Sequence, residues 1–248
     1  MHDAPPRDER GFRIRSTQPT RIDAFVDAAF AFAVTLLVVS VGSVPESMPQ
    51  LLDAMRGIPA FALSFLAIAR VWLTHRQWSR RYALEDAYTT RLNLGLVLVV
   101  LLYVYPLRLI SALALSSISD GVLAERALQT LQGAGELRVL YATFAVGYAV
   151  VAIILALLHR HALRCADAVG LSAVERLRTR TTAQLWTAMA AIALLSLLLA
   201  VFVPMGRAQP LPLDSLPGLA YLLVFVARAV LVRRERAALA ALAEDATA

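Results

Sequence analysis

Apolar residues in this chain come in six long blocks, separated by stretches in which arginine, proline and polar residues gather. The blocks cover residues 21–41, 51–73, 92–115, 137–158, 183–203 and 216–232. A helix rises 1.5 Å per residue, so about 20 apolar residues cross a hydrocarbon core of ~30 Å. Each block approaches or exceeds that length. The pattern predicts an all-α polytopic membrane protein with six transmembrane helices per protomer, and no soluble core needs to be invoked.

The segments between the blocks divide the chain further. Residues 1–20 are polar and contain prolines, which predicts a disordered cytoplasmic arm. Residues 21–234 form the six-helix domain, and 235–248 a cytoplasmic tail that begins helical and becomes polar. A turn with Pro45 and Pro49 joins the first two blocks, and the second ends in the aromatic and basic sequence around Trp72, His75 and Trp78. The third block contains Pro106, tolerated in a membrane helix when neighbours satisfy the freed carbonyl. The mixed link 116–135 has room for a short surface helix. The first block is too long for the apolar part of a cleaved leader and no small-residue cleavage site follows it, so it reads as a retained span.

Charge sets the orientation. The formal net charge is +6 and the chain has no lysine. Arginines gather in the arm (Arg7, Arg10, Arg13, Arg15, Arg21), after the second block (Arg76, Arg80, Arg81, Arg91), after the fourth (Arg160, Arg164, Arg176, Arg178, Arg180) and in the tail (Arg233, Arg234, Arg236). The alternate connections hold chiefly Arg56, Arg126, Arg138 and Arg207. The positive-inside rule then puts both termini in the cytoplasm, consistent with an even number of spans. Arginines that flank apolar helices serve topology and headgroup contact; nucleic-acid binding would need a basic face on a soluble module.

The first block carries the densest chemistry. Residues three, four or seven apart share a helix face, so Phe25, Phe32, Leu36 and Val39 form one apolar stripe with Thr35 at its edge. Arg21 and Asp27 stand near the start, six apart and pointing in different directions, so each is expected to reach a neighbouring helix. Ionisable groups at membrane depth are costly and mark function; at headgroup level they are ordinary, and composition leaves both readings open for this pair.

At these residues the chain resembles the transmembrane protein 175 family, whose signature is R-x-x-x-F-S-D. Arg21, Phe25 and Asp27 match it; Val26 replaces the serine. Trp72 and His75 at the end of the second block, Asp86 before the third, Asn93 at its start and Pro106 deeper in extend the likeness over roughly the first 110 residues. The resemblance implies a homotetramer of six-helix protomers that conducts potassium or other monovalent cations through a pore lined by the first helix. It places Phe32 at the hydrophobic gate, where the family usually has isoleucine. Thr35 becomes pore-facing, and Leu36 and Val39 form further narrowings. It also implies that Arg21, Asp27, Trp72, His75, Asp86 and Asn93 belong to a polar network bracing the first three helices. No TVGYG-type loop occurs, so a carbonyl filter is absent from the sequence. Replacing serine by Val26 removes a hydrogen-bonding group, and four phenyl rings at Phe32 would close more tightly than isoleucines.

Other chemistry is set aside. His159, His161 and Cys165 fit no zinc spacing, so no metal or cofactor is expected. No HExxH occurs and the later spans hold no acid at depth, so the chain is not read as an enzyme. A proton- or ion-coupled transporter and a non-conducting scaffold of channel descent are the alternatives. Potassium-channel conduction in a prokaryotic plasma (inner) membrane, with membrane lipid around it, is the expected function.

Overall fold

The structure is a computed structural model that describes residues 6–40, 46–119, 133–204 and 213–245. Among these, helices carry almost everything: α1 (Arg21–Val39), α2 (Met48–Arg56), α3 (Ile58–Tyr82), α4 (Ala87–Ile118), α5 (Ala134–Arg164), α6 (Ala166–Val169), α7 (Ala173–Phe202), α8 (Leu216–Leu219) and α9 (Leu223–Asp245). Short 3-10 turns, Leu213–Ser215 and Ala220–Leu222, flank α8, so the last span is nearly continuous from Leu216. Six helical segments are long and apolar enough to cross a membrane. Of the predicted link 116–135, the ends continue α4 to Ile118 and begin α5 at Ala134, while the expected surface helix, like Arg126 and Arg207, falls outside the described residues.

Local sequence explains where the helices begin. Thr20 and Asp23 cap α1 reciprocally: the Asp23 amide donates to Thr20 Oγ1 at 3.2 Å and the Thr20 amide to Asp23 Oδ2 at 3.0 Å. Asp86 caps α4 by accepting the Thr89 amide at 2.8 Å, and Ser172 with Glu175 does the same for α7. The second apolar block is not one helix, as its pattern predicts, but two. Pro59 has no N–H to continue the ladder and its ring crowds the preceding turn, so the chain breaks at Gly57. The third span begins at Ala87 and the fifth at Ala173, extending the predicted blocks through polar turns at the arginine-rich end.

α5 and α7 form the most extensive helix pair; α4 packs on α5 and also gathers α1 and α3. α1 buries Val26, Phe30, Ala33 and Leu37, a strict 4-3-4 spacing, in the same core as Leu96, Val97, Val100 and Val104 of α4. At the α4–α5 crossing, Gly147 faces the ring of Tyr103: a Cβ built there would lie 2.3 Å from Tyr103 Cδ2. Only glycine lets the backbones come so close.

Residues 6–20, expected to be a disordered arm, are instead packed onto the bundle. Phe12 is 1% exposed and meets Tyr82 edge-on, ring centroids 6.2 Å apart, with the Arg81 guanidinium 4.3 Å from its ring centre. Arg15 holds Glu175 through two nitrogens (3.1 and 3.0 Å) and donates to the carbonyls of Val169, Gly170 and Arg81. Arg10 meets Glu235 of α9 at 3.6 Å. The arm, the end of α3, the start of α7 and the end of α9 therefore meet at one end of the bundle, bringing the arginine-rich segments together.

Candidate functional site: the open face of the first helix

Opposite its buried residues, α1 presents an uncovered face. Phe25, Phe32 and Val39, seven residues apart, are 50%, 55% and 63% exposed. Thr35 lies on the same side, between Phe32 and Val39, and is also exposed; its hydroxyl donates to the Ala31 carbonyl at 3.2 Å, leaving the oxygen lone pairs to accept. Leu36 is half-buried and packs partly against the core. Three of the four candidate pore residues thus share one open face and Leu36 borders it. Val26, at the signature serine position, is fully buried, so that substitution serves packing.

The polar residues named from the sequence fall into separate pairs rather than one network. Trp72 Nε1 donates to Asp27 Oδ1 at 2.7 Å, and Arg76 lies 5.5 Å from the centre of the Trp72 ring. His75 Nε2 pairs with Asn93 Oδ1 at 3.1 Å, both buried. An amide oxygen only accepts, so that ring nitrogen carries the proton. Asp27 and His75 line one cavity of about 310 Å³, beside Ser16, Asp23 and Arg80.

Two members stand apart. The Arg21 side chain is exposed and makes no ion pair among the described residues. Asp86 does not join Asn93. It turns to the fourth span and pairs with His161, whose ring is 4.8 Å from that of Tyr88. Burial by itself would raise the Asp86 carboxyl, but the Thr89 amide and His161 together outweigh it and hold it below its ordinary value. The reason for the split is positional: Asp86 is the cap of α4 at the bundle end, two turns from Asn93.

Metal-capable donors gather differently from the sequence reading. Asp86, His161 and Cys165 bring their donor atoms within 4.8 Å of one another. His159 is buried elsewhere, its Nδ1 donating to the Leu155 carbonyl at 2.7 Å. With His161 satisfied by Asp86, the cluster acts as a clasp between α4 and α5. The contacts of Asp8, Phe12 and Arg15 have no signal in the sequence, because a polar, proline-containing stretch carries no periodicity; Phe12 and Ile14 are its apolar clues.

Comparison with known proteins agrees with this architecture. The sequence profile of the family described as "Endosomal/lysosomal potassium channel TMEM175" matches residues 21–104. A protein of Marivirga tractuosa named "Potassium channel" is 32% identical over 202 residues, 79% of this chain and 80% of the relative. The crystal structure of a threonine-to-alanine variant of the potassium channel MtTMEM175, in complex with a nanobody–MBP fusion protein, superposes with a TM-score of 0.77 at 27% identity, covering 93% of this chain and 98% of that one. This chain is an integral membrane protein of the six-helix class and belongs to the TMEM175 family.

Proposed function

We propose that the protein is a potassium-preferring cation channel in which four protomers surround an axis and α1 lines the pore. The supporting observation is the uncovered face of α1: three large apolar side chains and a threonine stand open on a helix whose other face is deeply packed. The family relatives named as potassium channels give the ion. Rings of Phe32 and Val39 close the pore by excluding water, and the Thr35 hydroxyls between them replace part of an ion's hydration shell. Asp27–Trp72 holds the start of α1 against α3, and His75–Asn93 ties α3 to α4. The arginine-rich end faces the cytoplasm of a prokaryotic plasma membrane, with both termini on that side.

The test is potassium flux into proteoliposomes for wild type, Phe32→Ala and Thr35→Ala. The reading expects flux in wild type, more in Phe32→Ala, and reduced preference for potassium over sodium in Thr35→Ala. Absence of flux in all three, from folded and inserted protein, overturns it; saturable solute-coupled uptake would indicate a transporter instead.

A further inference from the structure

A cavity of about 410 Å³ opens between α3, α7 and α9 at the arginine-rich end. Four arginines face it: Arg10, Arg70, Arg81 and Arg228. Two have carboxylate partners, Arg81 with Asp8 at 2.7 Å and Arg10 with Glu235 at 3.6 Å. Glu235, which also lines the cavity, is further engaged by Arg178 at 4.0 Å through the same Oε1, while its Oε2 is buried without a hydrogen-bond partner. Arg70 and Arg228 are exposed and have no ion-pair partner among the described residues.

These two lie within membrane-spanning helices. Arg70 is about three turns before the end of α3, and Arg228 sits about 7 Å deeper along α9 than the Arg233–Arg234 pair. Arg70 lies midway along α3, and its long side chain, like that of Arg228, can reach toward the arginine-rich end. A guanidinium within a span is expensive without a counter-charge, and two on one cavity leave it electropositive. The same cavity has an apolar wall of Leu185, Trp186 and Met189 of α7.

We propose that this cavity binds one anionic phospholipid from the leaflet at the arginine-rich end, with its phosphate between Arg70 and Arg228. Guanidinium groups match phosphate oxygens with paired N–H donors. The Gln77 amide offers a further donor for the headgroup, and the α7 residues receive the first acyl carbons. Free phosphate would satisfy the arginines equally, but it has no use for the apolar wall. The site is independent of conduction, so it can be tested without flux.

The experiment is native mass spectrometry of the full-length protein in detergent, incubated with phosphatidylglycerol, phosphatidylcholine or inorganic phosphate. Wild type should retain phosphatidylglycerol, up to one per protomer, about tenfold over phosphatidylcholine, corresponding to about 1.4 kcal/mol. Arg70→Gln and Arg228→Gln should each cut that preference several-fold and the double variant should abolish it, while Arg70→Lys/Arg228→Lys should keep part of it. Equal retention of the two lipids by wild type, or a preference unchanged by the single variants, overturns the proposal. Displacement of phosphatidylglycerol by millimolar inorganic phosphate overturns the lipid assignment. Loss of the oligomer rather than the lipid in Arg70→Gln/Arg228→Gln also overturns it, by showing that the arginines meet a neighbouring protomer.

Discussion

Trp72 donates its indole N–H to the Asp27 carboxylate at 2.7 Å, joining the first span to the next one near the arginine-rich end. Trp72→Phe keeps the ring and removes the donor. Its expected cost is about 1 kcal/mol, below the usual ~1.5–3 for a bond to a charged group because Asp27 remains exposed. Thermal unfolding in detergent checks this, and an unchanged midpoint would show that the bond does not brace α1.

Gly147 is the tightest helix approach for which an added methyl can be judged. Gly147→Ala places Cβ 2.3 Å from Tyr103 Cδ2, and overpacking of this kind costs about 1–3 kcal/mol. Tyr103→Leu in the same chain should recover most of the loss. A double-mutant cycle by denaturant titration reads the coupling; additive effects would contradict the crossing geometry.

The docked arm is held by Arg15 on Glu175. Glu175→Gln leaves the Arg15 charge unmatched and should free residues 6–20. Trypsin cleavage after Arg13 and Arg15 is then expected to accelerate by at least about tenfold, or about 1.4 kcal/mol of docking free energy. Cleavage equally fast in wild type would mean that the arm is not docked in solution.

The Asp86–His161 clasp carries a pH signature. The Asp86 carboxyl is held below its ordinary value of 3.8, so it contributes stability above that value, lost as pH falls through the lower folded-state value. Asp8, which binds Arg81 and the Phe12 amide against the cost of its burial, behaves in the same direction. Asp86→Asn should therefore lower stability at pH 6 and flatten the decline on the acid side below about pH 4. An unaltered acid limb in unfolding curves would remove Asp86 from that role.

Much of this was legible in the residues because membranes impose a simple rule. An apolar run of bilayer length must be helical, since lipid offers no partner for exposed backbone. Six spans follow from that, and the signature around Arg21, Phe25 and Asp27 pointed to the family later matched by its profile. Spacing also predicted one apolar stripe of Phe25, Phe32, Leu36 and Val39. The structure leaves three of these open and turns Leu36 partly inward, because an α-helix advances 100° per residue and Leu36 lies between the two faces.

Sequence by itself determined the class of protein, the number of its spans and the residues that line one side of α1. Tertiary structure alone decided which polar groups meet. Asp27 took Trp72, His75 took Asn93, and Asp86 left the expected network for His161, 75 residues away. It also turned a polar arm into part of the bundle by placing Glu175 where Arg15 could reach it. The physical reason is that apolar length is a local property read along one helix. A hydrogen bond between side chains instead depends on where two distant helices cross, and neither one's sequence states that.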